Sequence, residues 1–306
     1  MTSFKPQIAI LGYVSKDIIR RIHTGEVIKK IGGKVYYTGA ALAALDTPTL
    51  LFSKTAQQDK QLNKHLQHKK NFLVDFTTKT TPMYENIYPT KNLNERYWKA
   101  THDTFQFTLE KIKPYEDMIK KSKFIHLAPE SRNTIPFTTM KYLHHLHIPL
   151  SLDVDFYIRK MKKEGLYKYT PLSAIQKILK YVTILAMSDE DAKHTVPGKN
   201  PLERAKTIAA LGPREIILTQ GSQGALVYDA RKKKKHVIKA KSIKKKGDVT
   251  GAGDTFIAAY LHARLTSNNL QKCGDFAARV TEKKIQHHGA LQLNEQERKK
   301  LQKMIT

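Results

Sequence analysis

Short apolar runs alternating with helical patterns constrain this chain more than any other feature. Gln7–Val14, Thr49–Ser53, Phe124–Leu127, Pro149–Val154, Val182–Ala186 and Glu215–Thr219 are each rich in apolar residues and bounded by polar turns. Helical patterns fill several of the intervals, at Gly39–Leu45, Pro136–Leu146, Leu172–Leu179 and Leu202–Leu211. Parallel strands need a crossover between them, and strands buried on both faces read as continuous apolar runs. This order therefore predicts an α/β fold with a mainly parallel sheet covered on both faces by helices. Gly224–Asp229 and His236–Ala240 read as a hairpin turning through the basic run Arg231–Lys235. Two helices, around 254–266 and 271–286, close the chain.

Glu26–Tyr37 and Met83–Trp98 break the alternation. Both are β-rich and polar, and they predict a small second sheet with strands within about 13–38 and 83–100. No internal repeat appears, and no linker rich in Pro, Gly or Ser separates the halves. The expectation is one α/β domain over 1–306 with the small sheet inserted as a lid.

Composition removes several function classes. Hydrophobic residues make up 40% and charged residues 26%, as in ordinary soluble globular chains. The single cysteine, Cys273, allows no internal disulfide and no cysteine-built metal cluster. The apolar run Ile8–Val14 is too short to span a membrane and lacks a cleavage site, so no membrane partner and a cytoplasmic location are expected. A net charge of +27 favours solubility and non-specific attraction to anions. No RNA-binding signature, zinc finger or basic amphipathic helix accompanies Arg231–Lys235 or Lys244–Lys246, so specific nucleic-acid binding is not expected. The histidines at 144, 145, 147, 287 and 288 lack the neighbouring carboxylates or cysteines of a transition-metal site.

Chemistry concentrates in Asp248-Val-Thr-Gly-Ala-Gly-Asp-Thr-Phe256. Gly251 and Gly253 let successive N–H groups turn toward one point, and the helix expected behind them adds the positive end of its dipole. An acid, Asp254, would repel a merely bound phosphate. It makes sense as a base that takes a hydroxyl proton while the N–H groups hold phosphoryl oxygens. By itself, Gly-Ala-Gly before a helix is also an ordinary tight turn, and an acid in a first turn complements the dipole. No G-x-x-x-x-G-K-[ST] sequence occurs, so a phosphate cradle must be built here if anywhere.

The whole segment resembles the C-terminal signature of the ribokinase-like, PfkB-type sugar and nucleoside kinases, with Val249 in place of a common Thr. That resemblance extends over nearly the whole chain and implies a three-layer α/β/α ribokinase-like sandwich with a β lid. It implies ATP and Mg²⁺ as cofactors, allows a monovalent cation, and makes a homodimer through the lid an expectation. Asp254 would be the base, with Gly251, Ala252 and Gly253 supplying N–H donors. Gly12-Tyr-Val-Ser-Lys-Asp17 and Gly32-Gly33 are similar to the family's substrate-binding segments, where the acid accepts substrate hydroxyls. Tyr37 stands where the family commonly has Asn. Thr78–Tyr88, with Asn94, Arg96, Phe105 and Phe107, and Ser151–Arg159 look like segments of the archaeal-type inositol and nucleoside kinases, which adds Glu85, Asn86, Arg96 and Asp153 as substrate contacts. Asp155 replaces a Gln of that pattern. Thr219, Gly221, Ser222 and Gly224 resemble the loop bordering the nucleotide, and Thr250 and Gly289 join them. The family's N-x-x-E, whose Glu positions hydrated magnesium, falls on Ser188 and Asp191, with Glu190 as a substitute.

The reading is ATP-dependent phosphorylation of a hydroxyl on a sugar-like or cyclic polyol such as an inositol. A nucleoside is the alternative acceptor, with Tyr36, Tyr37, Tyr84 or Tyr88 forming a slot for its base. A nucleotide- or ligand-binding protein with reduced catalysis is the alternative of another class, and the departure from N-x-x-E favours it.

Overall fold

In the computed structural model the described residues are 4–91, 97–101, 104–161, 167–240 and 247–305. In chain order the strands are β1 (Ile8–Leu11), β2 (Ser15–Arg21), β3 (Glu26–Gly32), β4 (Thr49–Ala56), β5 (Asn71–Thr78), β6 (Met83–Tyr88) and β7 (Tyr97–Thr101). They continue with β8 (Phe124–Leu127), β9 (Leu150–Asp153), β10 (Arg159–Met161), β11 (Tyr167–Tyr169), β12 (Ile184–Ser188), β13 (Glu215–Thr219), β14 (Ala225–Asp229) and β15 (Lys234–Ile238).

The large sheet runs β15-β14-β13-β12-β9-β8-β1-β4-β5. Pairings from β13 through β5 are parallel, and only the β13–β14–β15 meander is antiparallel. In β1, Ile8 and Ile10 enter one core while Ala9 and Leu11 enter the other. Helices Lys34–Ala44, Ala252–Arg264 and Leu270–Ile285 cover the first core, and Phe137–His145 and Pro201–Ala210 cover the second. Helices on both faces of a mainly parallel sheet make the three-layer α/β/α sandwich that the sequence predicts. Fully burying each large apolar side chain contributes roughly 1.5–3 kcal/mol.

A four-stranded sheet, ordered β3-β2-β6-β7, forms the lid. In β2, Ser15, Asp17 and Ile19 are buried while Lys16 is exposed, so the period of two turns Asp17 inward. The lid differs from expectation at one boundary. β3 stops at Gly32, and Lys34 already begins a helix that runs to Ala44. Lys-Val-Tyr-Tyr reads locally as strand, but burial of Val35, Thr38 and Leu42 against the first core requires the helical period. β5, an added edge strand, and the capped helix Glu295–Gln302 were not expected.

Candidate active site

The cleft opens at the C-terminal ends of the parallel strands, between the large sheet and the lid. Tyr13, Asp153, Ser188 and Thr219 stand at or just beyond the ends of β1, β9, β12 and β13 and all line it. This is where open α/β sheets place their ligands. Its volume is about 300 Å³, enough for a small acceptor and part of a donor.

One end of the signature is a helix start. Gly251 is the N-cap residue of Ala252–Arg264, in the left-handed conformation at φ 75°. A Cβ there would lie 2.2 Å from the ring of Tyr37, so only glycine fits. Ala252 donates its N–H to the Val249 carbonyl at 3.1 Å, and Thr250 donates to Asp248 Oδ1 at 2.9 Å. Gly251 and Gly253 line the cleft, and no described protein group accepts from their amides. The expectation for Ala252 is corrected accordingly: its amide already closes the turn.

Asp254, in the first turn, faces a crowd of acids. Burial pushes its pKa up to about 7; Lys34 opposes this, while Asp153, Asp155 and Asp17 reinforce it. Asp17 also rises, to about 6, chiefly through burial, although the Ser15 hydroxyl donates to it at 2.7 Å. Gly32 makes room for Asp17: a Cβ would stand 2.0 Å from its carboxylate oxygen. Gly33 caps the helix that carries Lys34.

Lys34 is the site residue that sequence reasoning missed. Its Nζ pairs with Asp153 at 2.5 Å and stands 3.8 Å from Asp155, with 8% of the side chain exposed. Burial would lower its pKa, yet Asp153, Asp155 and Asp254 together raise it, so it stays charged. Asp153 rises through burial and the neighbouring Asp155 charge. Tyr13, Tyr84 and Phe156 form an aromatic wall beside them, with ring centroids 5.7–6.3 Å apart.

Residues 116–297 match the pfkB family of carbohydrate kinases. The chain belongs to that family. The fold superposes on a pyrophosphate-dependent kinase of the ribokinase family, solved with a pyrophosphate analog and myo-inositol. The TM-score is 0.82 at 23% identity, covering 97% of this chain and 99% of that one. Arabidopsis thaliana ribokinase, solved with ribose and ATP, gives 0.76 at 18% identity, covering 98% and 99%. A stretch of 80 residues is 32% identical to a nucleoside kinase of Methanothermobacter thermautotrophicus. That match covers 26% of this chain and spans about a quarter, 24%, of that relative's length. Family match and shared fold agree with each other.

The other site residues of this pfkB-family protein fall into two groups. Asn86, Thr219, Thr250 and Gly253 line the cleft with Asp17, Asp153 and Asp254. Others do not reach it. Glu85 lies one residue out of phase with Tyr84 and Asn86 on β6, and pairs with Arg20 at 2.8 Å. Its proposed substrate contact is therefore corrected: the strand's period of two turns it away. Gly221, Ser222 and Gly224 shape the turn between β13 and β14 and do not line the cleft. Gly289 donates to Asp248 Oδ2 at 3.4 Å, which ties the C-terminal segment to the signature loop. Arg96 lies outside the described residues.

The metal expectation is also corrected. Asp191 is almost fully buried, at 1% exposure. Its Oδ1 accepts from Arg159 Nε at 3.1 Å, Arg159 Nη2 at 2.7 Å and Tyr169 at 2.9 Å. Its Oδ2 accepts from Arg159 Nη2 at 2.7 Å and from Ser188 at 2.6 Å. Glu190 is 64% exposed and pairs with Lys193 and His194 on the outer side of its helix. These two residues do not fit a magnesium site, and no step is assigned to a metal here.

Proposed function

We propose that this kinase moves the γ-phosphoryl group of ATP to a hydroxyl of a small polyol, with an inositol-like ring as first acceptor. The observation that carries this reading is Asp254, in the first turn of a helix beside the cleft-lining Gly251 and Gly253, with a pKa near 7. A carboxyl group poised near working pH suits a general base. The acceptor hydroxyl gives its proton to Asp254 as its oxygen bonds to the γ-phosphorus. The bond from that phosphorus to the bridging oxygen breaks, and ADP leaves. Gly251 and Gly253 donate N–H groups to the equatorial oxygens of the transferring group. Asp17 and Asn86 hold other acceptor hydroxyls.

A ring bearing several hydroxyls matches the carboxylates Asp17, Asp153 and Asp155, each of which accepts O–H donors. A nucleoside is the second acceptor class, supported by the Tyr13–Tyr84–Phe156 wall, which offers faces for a base. Pyrophosphate is the second donor class, since a kinase that uses it shares the fold over nearly the full chain. A homodimer through the lid also belongs to the proposal, because β3 and β7 end the described sheet and Ile22, Val27 and Met83 expose apolar surface there. Sedimentation at micromolar concentration reads that state.

The deciding experiment pairs ATP and pyrophosphate with inositols, nucleosides and pentoses and follows products by phosphorus NMR. Acceptor-dependent formation of a phosphate monoester is expected. Donor consumption independent of every acceptor would remove the kinase reading.

A further inference from the structure

We propose that Asp191 is the positioning residue of Arg159, and that this guanidinium meets the donor's phosphate groups. It would do so in the part of the cleft where a metal-holding carboxylate is expected. The inference rests on the kinase reading above.

The argument starts from counting. A carboxylate offers about four lone-pair positions. Asp191 accepts five hydrogen bonds from three side chains, two of them on Oδ2 and three on Oδ1. Asp191 itself borders the cleft, with 1% of its side chain exposed, and a water of a hydrated cation would have to displace one of these bonds to reach it. A cation would also approach against the guanidinium that already neutralises the acid. Charge-assisted, forked bonds of this kind are among the strongest in proteins. The helix adds to the lock, since the Asp191 N–H donates to Ser188 Oγ at 3.0 Å.

The lock serves Arg159. This residue follows the turn after β9 and lines the cleft together with Ser188, Thr219 and the Gly251–Asp254 loop. Its Nη1 stands 3.7 Å from Asp155, so it marks the boundary between the acceptor acids and the donor half. A guanidinium is planar, weakly hydrated and always charged, which matches phosphate oxygens better than an ammonium does. Holding one edge of the fork on Asp191 removes the entropy cost of ordering the side chain when the donor binds. A divalent ion, where used, then arrives on the donor's own phosphates.

The test uses the full chain with Asp191→Asn, Arg159→Met, Arg159→Lys and Tyr169→Phe. Donor binding is measured calorimetrically with ATP and with pyrophosphate, first in EDTA and then with Mn²⁺. Binding of Mn²⁺ is read from the spin resonance of the free ion. Arg159→Met and Asp191→Asn should each weaken metal-free donor binding about tenfold or more, as expected for losing a charge-assisted contact. Arg159→Lys should recover only part of this. Tyr169→Phe, the mildest change, should cost about two- to fivefold and decides the matter if Asp191→Asn does not fold. Mn²⁺ affinity of the donor-free protein should stay within about twofold throughout. Two results would overturn the proposal: Arg159→Met binding metal-free donor like wild type, or Asp191→Asn losing Mn²⁺ while metal-free donor affinity stays intact. Failure of the kinase reading shows separately, as normal donor binding without transfer to any acceptor.

Discussion

The two aspartates that bracket the signature loop carry the same side chain and are driven in opposite directions. Burial pushes the pKa of each up. At Asp248 that push is overcome by Lys30 at 2.7 Å, by buried Lys284 and by the Thr250 amide, and the pKa falls to about 2. At Asp254 the nearest cation, Lys34, is already shared with Asp153 and Asp155, and the pKa climbs to about 7. Lys284 also donates to the Asp248 carbonyl at 2.6 Å, so this end is fixed by main chain and side chain together. One end of the loop is an anchor and the other is the proposed base. A pKa near 7 at Asp254 is affordable because the loop's stability is vested in the other aspartate.

The largest separation should come from replacing each in turn. Asp254→Asn is expected to lower kcat by about 10²-fold or more, the usual worth of general-base assistance, while donor affinity survives. Near wild-type turnover in that variant would take Asp254 out of the chemistry. Asp248→Asn leaves Lys30 and Lys284 without their partner charge in a buried setting. Breaking such a pair costs about 3 kcal/mol or more, so urea denaturation should show a clear loss of stability. Its kcat should fall less than that of Asp254→Asn; the reverse order would mean that the anchor, not the base, limits turnover.

A smaller effect tests the charge environment of the base. With Asp254 as the required carboxylate, kcat/KM should rise with pH through about 7. Lys34 favours the charged form of Asp254, so Lys34→Met should move that rise to higher pH. Asp17 disfavours it, so Asp17→Asn should move the rise to lower pH, whatever it does to acceptor KM. Shifts in the same direction for both would show that the profile belongs to another group.

Much of this arrangement was legible in the sequence because local chemistry set it. The apolar runs placed the sheet, and Gly-Ala-Gly-Asp placed a helix start and its acid at the cleft. Asp17 was singled out only through the resemblance carried by Gly12–Asp17; its inward turn on β2 and the room that Gly32 leaves for it emerge from the fold. What stayed hidden depends on charges brought together from distant parts of the chain. In a chain with 54 Lys and Arg residues, Lys34 reads as one more solvated lysine. Only the packing of the helix that starts at Lys34 beside the end of β9 makes it the partner of Asp153. Asp191 was misread for the same reason: its helix position is local, but Arg159 and Tyr169 reach it from the β10–β11 hairpin. Glu85 was misjudged by a single residue of phase, which in a strand reverses the face.

The smallest predicted effect is in stability, and its sign differs at the two ends of the loop. A carboxyl group whose folded-state pKa is raised stabilises the fold in its protonated form. For Asp254 that contribution is fully present below about pH 4 and is lost as the pH rises through about 7. At pH 8 the charged Asp254 therefore costs stability, and Asp254→Asn should melt above wild type. The gain is about 1.5 °C for each kcal/mol relieved in a chain of 306 residues, and it should shrink as the pH falls toward 5. Asp248 has a lowered pKa, so its contribution is present above about pH 4 and fades as the pH falls through about 2. Asp248→Asn should accordingly melt below wild type at pH 8. Calorimetric scans of both variants at pH 5 and pH 8 read the two signs directly. A fall in melting temperature for both at pH 8 would show that Asp254 is held by favourable contacts, as an anchor is, and would end its contrast with Asp248.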